Sequence, residues 1–371
     1  MKIICLQENL KNALTAAERI IGKNLTLPIL NNILLKASNG KLQVSSTNLE
    51  IGINYWIPCK TEKDGEITVL AKTLSSFVAN LPNKKVELES KDELLAAHCE
   101  GYRAKIKGQS AEDFPIIPKI QAAEEISVDA FSLKEGLAQT APMTSISEVR
   151  PEISGVLFDF KKKTLKLVAT DSFRLAEKNI FLESGCERKI IVPQKTALEI
   201  NRILTEKIER ADKEEKIKIL IGPSQAMFDA GYIQIISRLI DGQYPDYQQI
   251  IPKSFRSKVT LARDEAIKAI RIASLFSGKV NDIKMNILPN KKIIEITAQS
   301  ADIGENKSQI IAEIEGESQE VAYNWRYFLD GLSNAAGKSV FIGANSDQAP
   351  TIIKPTGNED YLYVVMPIKA V

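Results

Sequence analysis

The chain carries nearly the same passage three times. Leu34–Asn48 reads LLKASNGKLQVSSTN, Leu157–Asp171 reads LFDFKKKTLKLVATD, and Leu288–Ser300 is a fainter echo, LPNKKIIEITAQS. Thr170 lies 123 residues after Thr47, and Ser300 lies 130 after Thr170. Solenoid units recur every ~20–50 residues, so this period is too long for one. It matches one compact domain instead. The expectation is a tandem of three related domains, spanning 1–121, 122–253 and 254–371.

Other elements keep the same beat. Each repeat opens with a strand and an amphipathic segment. Leu10, Ala13, Leu14, Ala17 and Ile21 form the apolar stripe of the first. In the second, Ser132 and Glu135 stand in capping-box register before Leu137 and Ala141, and Pro142 stops the helix. In the third, Asp264 is placed to cap a helix bearing Ile267, Ile270 and Ala273. A second helix comes late in each repeat. Leu74, Phe77, Val78 and Leu81 share the i, i+3, i+4, i+7 template with Trp325, Phe328, Leu329 and Leu332; Ala197, Ile200, Leu204 and Ile208 form a looser middle copy. Short strands such as Val86–Glu89, Lys216–Ile221 and Val340–Ile342 lie between turns. The fold class is α+β: two helices and an antiparallel sheet per repeat, used three times. Repeats one and two close on Phe114-Pro115 and Tyr244-Pro245. Proline cannot donate to a ladder, so both stretches are read as extended connectors leaving a sheet.

Function classes fall away in turn. No apolar run reaches the ~18 residues of a membrane span, and the N-terminus does not read as a signal peptide. Cys5, Cys59, Cys99 and Cys186 lack CxxC spacing and read as reduced, mostly packed thiols. His98 is the only histidine, which removes most metal and acid–base arrangements, and strand surface is its expected place. The net charge of +2 argues neither for nor against nucleic acid. Basic residues do gather on helices: Lys11, Arg19 and Lys23; Lys195, Arg202 and Lys207; Lys268, Arg271 and Lys279. Such runs are ordinarily solvated faces. Gly331–Ser339 imitates a phosphate loop, with five residues between its glycines instead of four. It also follows a helix and leads into a strand, the reverse of the order that aims amides at phosphate. Gly337 is therefore read as the glycine ending that helix. The sequon Asn24-Leu25-Thr26 means little without an export signal. A nucleotide hydrolase using Gly337-Lys338-Ser339 and a sequence-specific DNA binder are the competing classes; ATP binding would mark the first, and a high specificity ratio the second.

Five separated motifs, in order along the whole chain, carry a resemblance. Thr26-Leu27-Pro28-Ile29-Leu30, Val168-Ala169-Thr170-Asp171 with Arg174-Leu175-Ala176, Ile191-Val192-Pro193, Leu239–Tyr247 and Tyr363–Pro367 resemble the beta subunit of bacterial DNA polymerase III, the sliding-clamp family. The resemblance implies the DNA clamp fold, with two copies closed head to tail into a dimeric ring. Helices would line its hole and sheets form its wall. Such a ring encircles double-stranded DNA without reading sequence. It tethers the polymerase III catalytic subunit and other clamp-binding-motif proteins, and is opened by a clamp-loader ATPase. No catalysis, cofactor, metal or membrane is implied; the setting is the bacterial cytoplasm, on the nucleoid during replication.

Carried over by position, the family's partner-binding pocket falls on Ile153, Thr170, Ser172, Phe173, Arg174, Leu175, Pro245, Gln249, Ile250, Asn324, Tyr327, Pro350 and Val364, Val365, Met366, Pro367 and Ile368. An apolar groove with polar edges suits a short peptide with Leu or Phe anchors. Ser172, Phe173 and Gln249 depart from the family pattern, where glycine, histidine or tyrosine, and a basic residue are common. Lys23, Asn24, Lys72, Arg150 and Lys195 are the DNA-contact candidates. Ala104 and Ile106 on an edge strand, with Ser274 and Leu275 at a helix end, are the candidate dimer interface. Ala104 and Ser274 are smaller or more polar than is common there, which implies a weaker dimer.

Overall fold

The computed structural model describes residues 1–22, 27–118, 120, 124–147, 149–208 and 215–368. Lys23, Asn24 and most of the Asn24–Leu30 region's first residues, through Thr26, lie outside the described residues, so the sequon and two DNA-contact candidates do as well.

Six helices are described, two per repeat: α1 (Gln7–Ile20), α2 (Ala71–Ala79), α3 (Ala130–Thr140), α4 (Gln194–Ile208), α5 (Arg263–Ser274) and α6 (Trp325–Asn334). Among the described residues no helix is long and apolar enough to cross a membrane, and no cluster of His, Cys, Asp or Glu could hold a metal ion. Helix α1 buries Leu10, Ala13, Leu14, Ala17 and Ile20. Ile20 takes the last place of the stripe rather than Ile21, because the chain leaves the helix at Ile21 with extended backbone. The start of α3 differs from the capping-box reading. Asp129 accepts from the Ser132 N–H at 2.7 Å, so the helix begins one turn earlier and Ser132 lies inside it. Asp264 does not cap α5 either; Ala262 holds that position and Asp264 sits in the first turn, where a negative charge favours the helix dipole. Helix α6 ends at Asn334, and Gly337 (φ 90°) shapes the following turn instead of the cap itself. Lys279 likewise lies beyond α5.

The chain forms two compact units, Met1–Lys134 with Glu199–Leu239, and Glu135–Leu198 with Ile240–Val371. The middle repeat contributes to both. Unit 1 carries a 13-stranded sheet and unit 2 a 12-stranded one, antiparallel throughout. In unit 1, strand Ile51–Pro58 pairs with Ile233–Arg238, joining strands of repeats one and two. In unit 2, strand Arg174–Phe181 pairs with Tyr361–Val365, joining repeats two and three. Asn39 (φ 51°) and Gly40 (φ 72°) make the tight hairpin turn that the Asn-Gly pair announces.

Two strands keep a half-paired edge. Tyr102–Gln109 pairs along its length with Leu94–Cys99, but meets Gly65–Leu70 only at Gly108 and Gln109. Gly304–Gly316 pairs with Ile293–Ser300 through Ile311, then switches to Ser257–Ala262 from Ala312 onward. Both connectors leave their sheets; the second adds a 3-10 turn at Tyr247–Ile250. All four cysteines are free, with Cys5 and Cys99 buried. His98 sits half-buried on strand Leu94–Cys99.

Candidate functional site

The loop from Thr170 to Arg174 organises unit 2's outer rim. Thr170 Oγ1 donates to the Arg174 carbonyl at 2.7 Å and accepts the Ser172 N–H at 3.1 Å. Asp171 Oδ1 accepts the N–H groups of Phe173 and Arg174 at 2.9 and 3.0 Å. This side-chain turn holds Ser172 at φ 78°, a conformation in which glycine is easier. The C-terminal strand then docks in register: Leu175 lies opposite Val364, Arg174 opposite Val365, and the Met366 N–H donates to the Phe173 carbonyl at 2.8 Å. Ile368 continues the tail by donating to Ala322.

Arg174 is the polar hub. Its Nε meets Asp171 Oδ2 at 2.9 Å, its Nη1 reaches Asp330, and its guanidinium lies 4.5 Å from the centre of the Tyr327 ring. Phe173 stacks near the same ring, at 6.4 Å and 25°. Tyr327 is thus flanked by a cation and an exposed aromatic. Asn324 does a structural job, capping α6 by accepting from the Arg326 N–H at 3.0 Å.

The structure divides the family-derived residues. Leu175 and Val364 are only 1% exposed, packed with Leu157, Val168, Ile191, Tyr247 and Ile352 and covered by Tyr244 and Ile251. Ile153 is buried as well, and Val365, one residue from Val364, faces the opposite side of the strand. These are walls and core, so they are not open to a ligand. Ser172, Phe173, Ile250 and Gln249 are exposed, while Pro245, Tyr327, Pro350, Met366, Pro367 and Ile368 are half-buried. Gln249 donates to Asp246 at 2.7 Å. Sequence reasoning missed Tyr247, whose hydroxyl donates to Glu177 at 2.7 Å; its signal was present in the Gly242–Tyr247 motif. Asp330, a ligand of Arg174 from 156 residues away, has no local signal at all.

The charge candidates separate too. Lys72 on α2 and Lys195 on α4 are exposed, as are Lys11, Arg202, Lys268 and Arg271. Arg19 is not a free surface cation: its Nε meets Glu199 at 2.8 Å and its Nη1 meets Glu206 at 3.2 Å. Arg150 is exposed but tied to Glu152 at 3.2 Å and Ser172 at 3.3 Å, which puts it on the groove rim. Ile106 is 7% exposed and belongs to unit 1's own core, whereas Leu275 is 67% exposed and free to meet a partner. Ala104 and Ser274 are half-buried.

The three tandem domains match the three family models of the DNA polymerase III beta subunit: N-terminal domain over residues 1–118, central domain over 127–246 and C-terminal domain over 248–369. A beta sliding clamp of Synechococcus elongatus is 31% identical over 376 residues, covering 100% of this chain and 99% of that one. The crystal structure of the DNA polymerase sliding clamp from Bacillus subtilis superposes with a TM-score of 0.93 at 27% identity over 100% of both chains. A sliding clamp of Bartonella birtlesii, bound to griselimycin, gives 0.92 at 26% identity, again over 100% of both. The chain belongs to the DNA polymerase III beta subunit family, the bacterial sliding clamps.

Proposed function

We propose that two copies of this chain close head to tail around duplex DNA, and that each holds one partner peptide at the Phe173–Met366 rim of unit 2. The chain is a processivity factor and not an enzyme: it tethers a polymerase to DNA, works with a clamp loader, and serves other clamp-binding proteins. Tethering converts each rebinding of a polymerase into an intramolecular event.

The observation that carries the ring reading is the repetition of one strand junction. Thr47 and Asn48 make the same side-chain turn as Thr170 and Asp171, with Leu49 at φ 74°. Ile51 then pairs with Ser237 as Arg174 pairs with Val365. By cross-strand register Ser300 lies opposite Gly304 as Thr47 lies opposite Gly52 and Thr170 opposite Leu175, so Gly304 corresponds to Gly52 and Leu175, and strand Tyr102–Gln109 to the two receiving strands. The third junction has both halves in one chain and no pairing there among the described residues. A second copy would supply it, setting the partner's Gly304–Ile311 edge along Tyr102–Lys107. Exposed Tyr102, Ile303, Ile272 and Leu275 would then be covered. The repeat limits proposed are 1–121, 122–253 and 254–371.

Lys72, Lys195 and the exposed basic residues of α1, α4 and α5 would face phosphates, with Lys23 and Asn24 as further candidates. Contacts of this kind attract DNA without reading it and weaken with salt. Cytoplasmic, nucleoid-associated work follows from this reading. For the groove, the support is a half-buried methionine whose N–H bonds the backbone of an exposed aromatic, next to a fixed arginine. The griselimycin complex of the Bartonella clamp makes ligand binding by such a chain concrete. The test is retention on DNA after loading: the protein should stay on nicked circles and leave once they are linearised. Equal retention on both forms would overturn the topological reading.

A further inference from the structure

Unit 1 has its own version of the outer face that the C-terminal strand and connector seal in unit 2, and among the described residues this version is not sealed. The correspondence is fixed by register. Leu34 pairs with Ser45 as Leu157 pairs with Val168, and Met227 pairs with Ile236 as Ile352 pairs with Val364. Gly52 stands where Leu175 stands. Ile117 follows Phe114 at the distance at which Tyr247 follows Tyr244. Three positions are therefore smaller in unit 1: Ser45 for Val168, Gly52 for Leu175 and Ile117 for Tyr247.

The lost volume is only partly recovered. A Cβ on Gly52 would come within 2.9 Å of Ile117 Cγ2, so Ile117 leans into the space of the missing leucine. A cavity of about 570 Å³ remains beneath the connector, walled by Trp56, Phe114 and Ile236. Its floor differs in chemistry as well. In unit 2 the corresponding floor is an ion pair, Lys166 to Glu177 at 2.8 Å, closed by the Tyr247 hydroxyl. In unit 1 it is neutral. Gln43 Nε2 donates to Ser45 Oγ at 2.9 Å and to Asn54 Oδ1 at 3.0 Å, and Ser45 Oγ donates to Asn54 Oδ1 at 2.8 Å. Those bonds leave Asn54 Nδ2, a donor, and Gln43 Oε1, an acceptor, without partners among the described residues. One donor and one acceptor on two side chains that are themselves hydrogen-bonded can together serve an amide group.

We propose that this cavity is a second binding site, for an extended peptide that carries a carboxamide side chain beside an apolar one. The carboxamide oxygen accepts from Asn54 Nδ2 and its N–H donates to Gln43 Oε1, while the apolar side chain packs on Trp56 and Ile236. The inference stands apart from the peptide groove of unit 2, since none of its residues belongs to that groove. The chain has two tryptophans, and replacing Trp325 by Phe leaves Trp56 as the sole indole reporter. Titrating the full-length protein with acetyl-Leu-Gln-amide should change Trp56 fluorescence saturably. Asn54→Leu and, separately, Gln43→Leu should each weaken that binding about tenfold, as the loss of a hydrogen-bond partner does. Met366→Ala should leave it unchanged. If Asn54→Leu impairs folding, the Gln43→Leu arm decides alone. No saturable change at Trp56, or a change indifferent to both substitutions, overturns the proposal.

Discussion

Arg19 of α1 and Glu199 of α4 meet at 2.8 Å in unit 1, with the Glu199 side chain 7% exposed. Arg202 approaches the same carboxylate at 3.7 Å and Glu206 shares Arg19 at 3.2 Å. Burial nevertheless raises the Glu199 pKa above its ordinary value of 4.5, outweighing the two arginines. The basic stripe read from sequence on the first helix is thus partly consumed by internal pairing, and among the described residues Arg19 Nη2 is buried without a partner.

That pair gives a signed pH prediction. A carboxyl whose pKa is raised on folding holds its proton more tightly in the folded state. Its contribution to stability is then greatest below the unfolded value near 4.5 and falls as pH climbs through the raised folded value. Wild type minus Glu199→Gln, measured by urea denaturation from about pH 4 to about pH 8, should decline over that window and level off above it. Glu199→Ala at neutral pH should cost about 3 kcal/mol, because Arg19 keeps only Glu206. A difference that is flat with pH would contradict the assignment.

Tyr247→Phe should destabilise the protein by about 1–2 kcal/mol without disturbing the cluster around Leu175. The hydroxyl is one of two groups holding the buried Glu177 carboxylate, the other being Lys166 at 2.8 Å. Burial, and next the Glu177 carboxylate, push the Tyr247 phenol far above its ordinary range, so it remains a donor at every accessible pH. Denaturant unfolding checks the energy, and an unchanged denaturant slope would show that packing is intact.

Much of this fold is legible in the chain. Periodicity places all six helices, because each buries an apolar stripe against a sheet. The hairpins are marked where Asn39-Gly40 or a lysine-rich tip must turn. Helix starts are harder to read: Asp129 takes the cap position that the capping-box register offers to Ser132, accepting both the N–H and the hydroxyl of Ser132. The site was legible as motifs but not as surfaces. Leu175 and Val364 read as groove residues, yet the Tyr244–Ile251 connector covers them, and no local pattern reports what a distant segment will cover. Val365 reads as a groove residue with its neighbours, although strand alternation turns it away. Arg174's bond to Asp330 depends on tertiary packing alone.

Met366→Ala should weaken a polymerase-tail peptide of the Gln-Leu-x-Leu-Phe type by about 2 kcal/mol, the scale of an interface anchor. Met366 is half-buried and its N–H, not its side chain, donates to the Phe173 carbonyl, so the side chain can be shortened without breaking that bond. Calorimetry should return one such site per subunit in wild type, with the melting temperature of the variant unchanged. Undiminished affinity in the folded variant would put the partner site elsewhere.

The dimer is best tested at Leu275. Ile106→Asp is a poor probe, because Ile106 is 7% exposed in its own unit and a buried charge there would damage folding first. Leu275 is 67% exposed, its backbone N–H already bonded to Ile272 at 3.2 Å, so Leu275→Asp alters no core contact of the folded subunit. In a closed ring that side chain would lie beside the arriving edge strand with Ile272 and Ile303, and an aspartate would have to lose its water there. Light scattering at micromolar concentration should report the mass of two chains for wild type and one for Leu275→Asp, with matching thermal unfolding of the two proteins' cores. A Leu275→Asp protein that remains dimeric would remove this helix end from the interface. Paired monomeric behaviour of wild type would mean that the half-paired edges at Tyr102–Lys107 and Gly304–Ile311 are not closed by a second copy in solution.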